Sequence, residues 1–186
     1  MDTWLCTLPA GIGSGLTYCC AMRSTIESDL HDQIASRRPQ SLRDKGTSVA
    51  PRIVLADDQE DMLRTVALVL KDEFNIIGIA ENGKRAVDLA TQLSPDVLVL
   101  DISMPVVNGF EAASRLRALG SLAKVVFLTV NKDPDFVEAA RCAGAVGYVL
   151  KESLTLDLAP AIRAAVEGTG FTSPACSGNQ PEAFFE

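Results

Sequence analysis

Histidine is nearly absent: the 186-residue chain has one, His31. That excludes most zinc chemistry and any nucleophile relay that needs a histidine base. Aromatic residues make up only 5%, so a core has to be filled with Ala, Val and Leu. Basic residues are outnumbered, with 17 Lys and Arg against 24 Asp and Glu and a formal charge of −7. No basic patch offers a footprint for phosphate backbones, and direct nucleic-acid binding by this chain is not expected. The five cysteines (Cys6, Cys19, Cys20, Cys142, Cys176) are odd in number and lack metal-ligand or redox spacing. Reduced thiols in a cytoplasmic protein are the expectation. Residues 4–22 are uncharged, but Pro9, Gly11, Gly13, Ser14 and Gly15 interrupt them and Asp2 precedes them. This suits neither a membrane span nor an export signal, so no membrane association is expected.

What is present is a 47% hydrophobic composition, enough for one ordinary domain. The chain divides by composition. Residues 1–50 read as a poorly structured N-terminal extension, Gly- and Thr-rich at first and then polar and breaker-rich around Arg37-Arg38-Pro39. The stretch Gly11-Ile-Gly-Ser-Gly15 lacks the spacing and the preceding strand of a dinucleotide fingerprint. Residues 51–169 read as the domain, and 170–186 as a short tail. Within the domain, Arg52-Ile-Val-Leu-Ala, Asp96-Val-Leu-Val-Leu, Lys124-Val-Val-Phe-Leu and Gly147-Tyr-Val-Leu are short, apolar and barely alternating, as strands buried on both faces are. A further strand is expected near Asn75–Ala80. Helical periodicity fills the intervals, with starts at Asn82-Gly83 and Asp133-Pro134 and stops at Gly120 and Gly168. Five βα units predict an α/β protein, a doubly wound (βα)5 parallel sheet with flavodoxin-like strand order 2-1-3-4-5.

Parallel strands joined by crossover helices all end on one edge. Asp57, Asp58, Asp101, Thr129 and Lys151, each at the C-terminal end of an apolar run, should therefore converge there. Three carboxylates brought together repel one another unless a cation intervenes. A donor set of oxygen without nitrogen or sulfur favours Mg²⁺, with Mn²⁺ as the alternative. The expected metal set is Asp57, Asp58, Asp101 and Ser103. Asp58 is expected as a direct ligand, Asp57 directly or through water, Asp101 between the ion and Lys151, and the Ser103 carbonyl as a further oxygen. A carboxylate held between such a metal and an ammonium can attack phosphorus and become an acyl phosphate. Thr129 adds a hydroxyl donor for a phosphoryl oxygen. Taken singly, each of these residues has an ordinary explanation: a helix cap, a solvated charge, a strand threonine. Their joint placement points to phosphoryl transfer onto Asp101.

The motifs Ile53-Val-Leu-Ala-Asp-Asp-Gln, Asp96 through Gly109, Val126-Phe-Leu-Thr and Ala143 through Lys151 closely resemble the receiver domain of bacterial two-component response regulators. The resemblance covers about Arg52 to Pro174. It implies that Asp101 is the phosphoacceptor, that Asp57 and Asp58 hold Mg²⁺ and that Lys151 pairs with the phosphoryl group. It further implies that Thr129 and Tyr148 form a conformational switch working on the helix 4–strand 5–helix 5 face. The implied donor is a phosphohistidine on a histidine kinase or phosphotransfer protein. Such a domain is not an enzyme in the usual sense, although it assists its own phosphorylation and dephosphorylation. A homodimer, through that face or through helices 1 and 5, is compatible with the sequence. The wording is most like the subfamily usually fused to a C-terminal helix-turn-helix, and twelve residues after Pro174 are too few for one. A stand-alone receiver and a truncated DNA-binding regulator are both left open. Glu152 follows Lys151 where many receivers have proline, which places a cis peptide there in doubt.

Two other classes compete. A receiver-fold interaction module could act without phosphorylation, although intact Asp58, Asp101, Thr129 and Lys151 weigh against it. A phosphatase with an aspartate nucleophile would need Asp-x-Asp after the first strand, and Gln59 and Glu60 follow instead.

Overall fold

The computed structural model describes residues 50–176, together with two two-residue strands, Leu5–Cys6 and Tyr18–Cys19, that pair antiparallel. The domain builds one parallel sheet from β1 (Arg52–Ala56), β2 (Asn75–Ala80), β3 (Val97–Leu100), β4 (Lys124–Thr129), β5 (Gly147–Leu150) and β6 (Phe171–Thr172). Between them run α1 (Glu60–Leu70), α2 (Gly83–Leu93), α3 (Gly109–Ala118), α4 (Pro134–Cys142) and α5 (Leu154–Glu167). The order across the sheet is β2-β1-β3-β4-β5-β6. The expected 2-1-3-4-5 arrangement holds, and a sixth short strand extends it beyond β5. The readings for residues 1–50 as a whole and for 177–186 lie outside the described residues.

Strands without alternation are buried on both faces because helices cover both. Val54 and Ala56 point into one apolar cluster with Leu98, Leu100 and Phe127, roofed by α2, α3 and α4. Ile53 and Leu55 point into the other with Val97, Val99 and Val149, roofed by α1 and α5 through Leu63, Val66, Leu158 and Ile162. Alternate residues of the same run thus serve opposite layers. Burying side chains of this size contributes about 1.5–3 kcal/mol each.

Helix ends follow the local chemistry. Asn82, Asn108 and Asp133 accept hydrogen bonds from the backbone N–H groups of Arg85, Glu111 and Asp135, contacts worth about 1 kcal/mol apiece. Gly168 closes α5 at φ +82°, a left-handed conformation that suits glycine. Cys142 is disulfide-bonded, which corrects the expectation of reduced thiols at that residue. Cys176 is a free thiol.

Candidate functional site

The sheet reverses its winding between β1 and β3, and ligands in open α/β sheets bind at the carboxyl ends of strands flanking that point. Asp57 and Asp58 follow β1, and Asp101 follows β3. The ladder continues past the strands: the Asp101 N–H donates to the Ala56 carbonyl at 2.8 Å and the Asp57 N–H to the Ala80 carbonyl at 3.1 Å. Both acidic residues are thereby fixed by backbone before any side-chain contact forms.

Oxygen atoms of Asp57, Asp58 and Asp101 all lie within 4.8 Å of one another. Asp57 and Asp101 are buried, whereas Asp58 is exposed. Asp58 faces an open cleft of about 580 Å³ that Glu60, Glu81 and Arg85 also line. Lys151 reaches the cluster with its ammonium 2.6 Å from Asp57 Oδ2 and 3.3 Å from Asp101 Oδ2. The shorter contact is an ion pair without hydrogen-bond alignment, since Asp57 Oδ2 has no partner by angle. Asp57 Oδ1 instead accepts the Gln59 N–H at 2.9 Å.

Burial pushes the Asp101 carboxyl above its ordinary value of 3.8; the Lys151 ammonium pulls it back, and the neighbouring Asp57 charge adds to the rise. One ammonium against three carboxylates leaves two formal negative charges. A single divalent cation balances them, and the donors are hard oxygens. The residues present therefore fit Mg²⁺ or Mn²⁺.

The loop after β3 is pinned from two sides by glycines. A Cβ on Gly109 would lie 2.3 Å from the Asp101 carbonyl oxygen, and one on Gly83 would lie 2.2 Å from the Val107 carbonyl oxygen. Close backbone approach is what glycine serves at 109. Ser103 sits exposed on this loop. Val106 adopts φ +68°, and the Val107 N–H donates to the Pro105 carbonyl at 2.8 Å. A β-branched residue in that region is strained by about 1–3 kcal/mol.

Thr129 ends β4, buried, and its hydroxyl accepts the Asn131 N–H at 3.2 Å. Tyr148 on β5 is turned inward with its ring fully buried, and its hydroxyl donates to the Asn131 carbonyl at 2.9 Å. Burial raises its phenol well above the ordinary value of 10, so it is a donor at any physiological pH. The two residues expected to form a switch thus meet at one residue, Asn131, Thr129 bonding its N–H and Tyr148 its carbonyl, and the sequence reading did not single it out. Its one visible signal is a polar residue two places after the strand-end threonine. At the rim, Lys132 and Glu152 pair at 2.7 Å, both half-exposed, a contact worth little in water. No peptide among the described residues is cis, so Lys151–Glu152 is trans.

A family model described as the response regulator receiver domain matches residues 53–163. The chain belongs to this family. It is 39% identical over 130 residues to the transcriptional regulatory protein YvfU of Bacillus subtilis, covering 69% of this chain and 65% of that one. To the transcriptional regulatory protein PdtaR of Mycobacterium tuberculosis it is 38% identical over 124 residues, covering 66% and 60%. The chain therefore spans less than two thirds of the length of these curated relatives. Among solved structures, a two-component response regulator of the LuxR family from Aurantimonas matches with a TM-score of 0.67 at 27% identity, covering 69% of this chain and 94% of that one. The response regulator domain of Thermotoga maritima CheB matches at 0.59 and 25%, covering 64% and 98%. A receiver's acidic pocket is represented here by the Asp57, Asp58 and Asp101 cluster. No helix among the described residues is long and apolar enough to cross a membrane.

Proposed function

We propose that this receiver accepts a phosphoryl group onto Asp101 from a phosphohistidine of a histidine kinase or phosphotransfer protein, in a Mg²⁺-dependent reaction. The observation that carries the reading is the buried Asp101 carboxylate, 3.3 Å from the Lys151 ammonium and clustered with two further carboxylates. An Asp101 carboxylate oxygen attacks phosphorus, the phosphorus–nitrogen bond to imidazole breaks, and the electron pair leaves on nitrogen. Asp57, Asp58, Asp101 and the Ser103 carbonyl would hold the cation, which would supply charge neutralisation for the transferring group. Lys151 neutralises the same group from the opposite side. The Thr129 hydroxyl, released from Asn131, donates to a phosphoryl oxygen.

The output follows from that release. Thr129 and Tyr148 hold the N–H and the carbonyl of the same residue, Asn131, so drawing Thr129 toward phosphate perturbs the Tyr148 anchor and biases the α4–β5–α5 surface. The domain acts as a signalling acceptor rather than a turnover enzyme, and a cytoplasmic location suits its donors. A homodimer would use either that surface or α1 with α5. Residues 51–169 form the receiver, preceded by an extension. The phosphorylation-independent module remains the competing reading.

Incubation with acetyl phosphate and Mg²⁺ is expected to add one phosphoryl group by intact mass. EDTA should abolish the gain. Asp58→Asn, at the exposed carboxylate, should raise the Mg²⁺ concentration required by roughly 10-fold or more. Equal incorporation with and without EDTA would contradict the metal requirement, and no incorporation by the unaltered protein would favour the competing module.

A further inference from the structure

The segment after α5 returns to the sheet, and its anchor lies beside Lys151. Ser173 is fully buried. Its hydroxyl accepts the Leu150 N–H at 3.1 Å and donates to Asp157 Oδ2 of α5 at 2.6 Å. Its own N–H donates to the Tyr148 carbonyl at 2.9 Å. A single serine therefore joins the end of β5, the incoming segment and α5. The neighbouring Thr172 hydroxyl is buried without a partner, so Ser173 supplies the side-chain polar attachment that Thr172 does not.

Leu150 is the last residue of β5, and Lys151 follows it directly, reaching 3.3 Å from Asp101. A buried N–H deprived of its acceptor seeks another, and the chain that carries it moves. We propose that Ser173 is a positioning residue for Lys151: its hydroxyl fixes the end of β5 so that the ammonium meets Asp101. The inference rests on the reading of Asp101 as phosphoacceptor. A consequence is coupling between the acceptor site and docking of the segment after α5, since both depend on where the end of β5 sits.

The test uses the full chain with acetyl phosphate at saturating Mg²⁺. Ser173→Ala is expected to slow phosphoryl incorporation roughly 10- to 100-fold, the scale of a misplaced reacting group. In a Lys151→Ala background the same change should cost nothing further, because the residue it positions is gone. Amide exchange at Leu150 should accelerate by about tenfold or more in Ser173→Ala. Asp157→Ala, which keeps the serine hydroxyl, should shift both readouts in the same direction by less, and stands in should Ser173→Ala not fold. An unchanged rate, an equal loss with and without Lys151, or unchanged exchange at Leu150 would each overturn the proposal. If the unaltered protein takes up no phosphoryl group, the underlying reading fails and this inference falls with it. If it does and Ser173→Ala matches it, the positioning role alone fails.

Discussion

Lys151→Ala is expected to destabilise the metal-free protein by about 3–5 kcal/mol at neutral pH, the usual cost of breaking a buried ion pair from one side. The ammonium lies between two carboxylates, and all three side chains are almost wholly withdrawn from water, at 7% exposure for Lys151 and 5% for each aspartate. Alanine leaves Asp57 and Asp101 facing each other without counter-charge. Two conditions should soften the loss. On the proposed reading, Mg²⁺ binding to the folded state should restore stability, growing with the logarithm of its concentration above Kd. Acid also helps: the Asp101 carboxyl already titrates above 3.8, and removing the lysine takes away the influence that lowers it. The deficit should shrink as pH falls through that window. Denaturant titration in EDTA at several pH values, with an unchanged slope, measures all of this. A variant as stable as its parent at pH 7 would show that Lys151 does not hold the carboxylates together. With Mg²⁺ present, phosphoryl transfer should still fall roughly 100-fold, as when one preorganised donor to a developing charge is removed.

Asp101→Asn should behave oppositely on stability while abolishing phosphoryl uptake. The sign follows from the raised carboxyl. Between 3.8 and its raised value the folded state holds a proton that the unfolded chain has released. Asp101 therefore makes the protein progressively less stable as pH climbs through that range, and the full penalty is present at pH 7. Asparagine does not titrate there and carries no such penalty. It forfeits the 3.3 Å contact to Lys151, but Lys151 keeps Asp57 at 2.6 Å. A net gain at pH 7 without metal is expected, vanishing below the ordinary carboxylate range. A variant less stable at pH 7 than its parent would mean that Asp101 serves the fold rather than burdening it.

The strand ends were legible because crossover connections leave little freedom: once β1, β3, β4 and β5 are parallel, Asp57, Asp101, Thr129 and Lys151 must share an edge. Caps were legible at helix ends, as at Asn82 for α2, Asp133 for α4 and Gly168 for α5. β6 was not legible. Phe171-Thr172 is too short to show a period. It docks through the Phe171 and Ser173 N–H groups on the Val146 and Tyr148 carbonyls, through Phe171 packed on the core, and through the Ser173 hydroxyl. The same limit hid the reason for Gly109, whose demand for space comes from a carbonyl eight residues away in sequence. Val106 in a left-handed conformation carries no turn signal either, because valine is the wrong residue for it. Tyr148 was legible as a switch candidate but not in its partner, since a backbone carbonyl leaves no mark on sequence.

The central claim is that one particular carboxylate takes up phosphorus, and reductive trapping tests it most directly. After incubation with acetyl phosphate and Mg²⁺, borohydride converts an acyl phosphate to homoserine at the residue that carried it. Peptide mass spectrometry should find homoserine at position 101 and aspartate retained at 57 and 58. Homoserine at either of those positions instead, or none in protein that has demonstrably gained a phosphoryl group, would contradict the account.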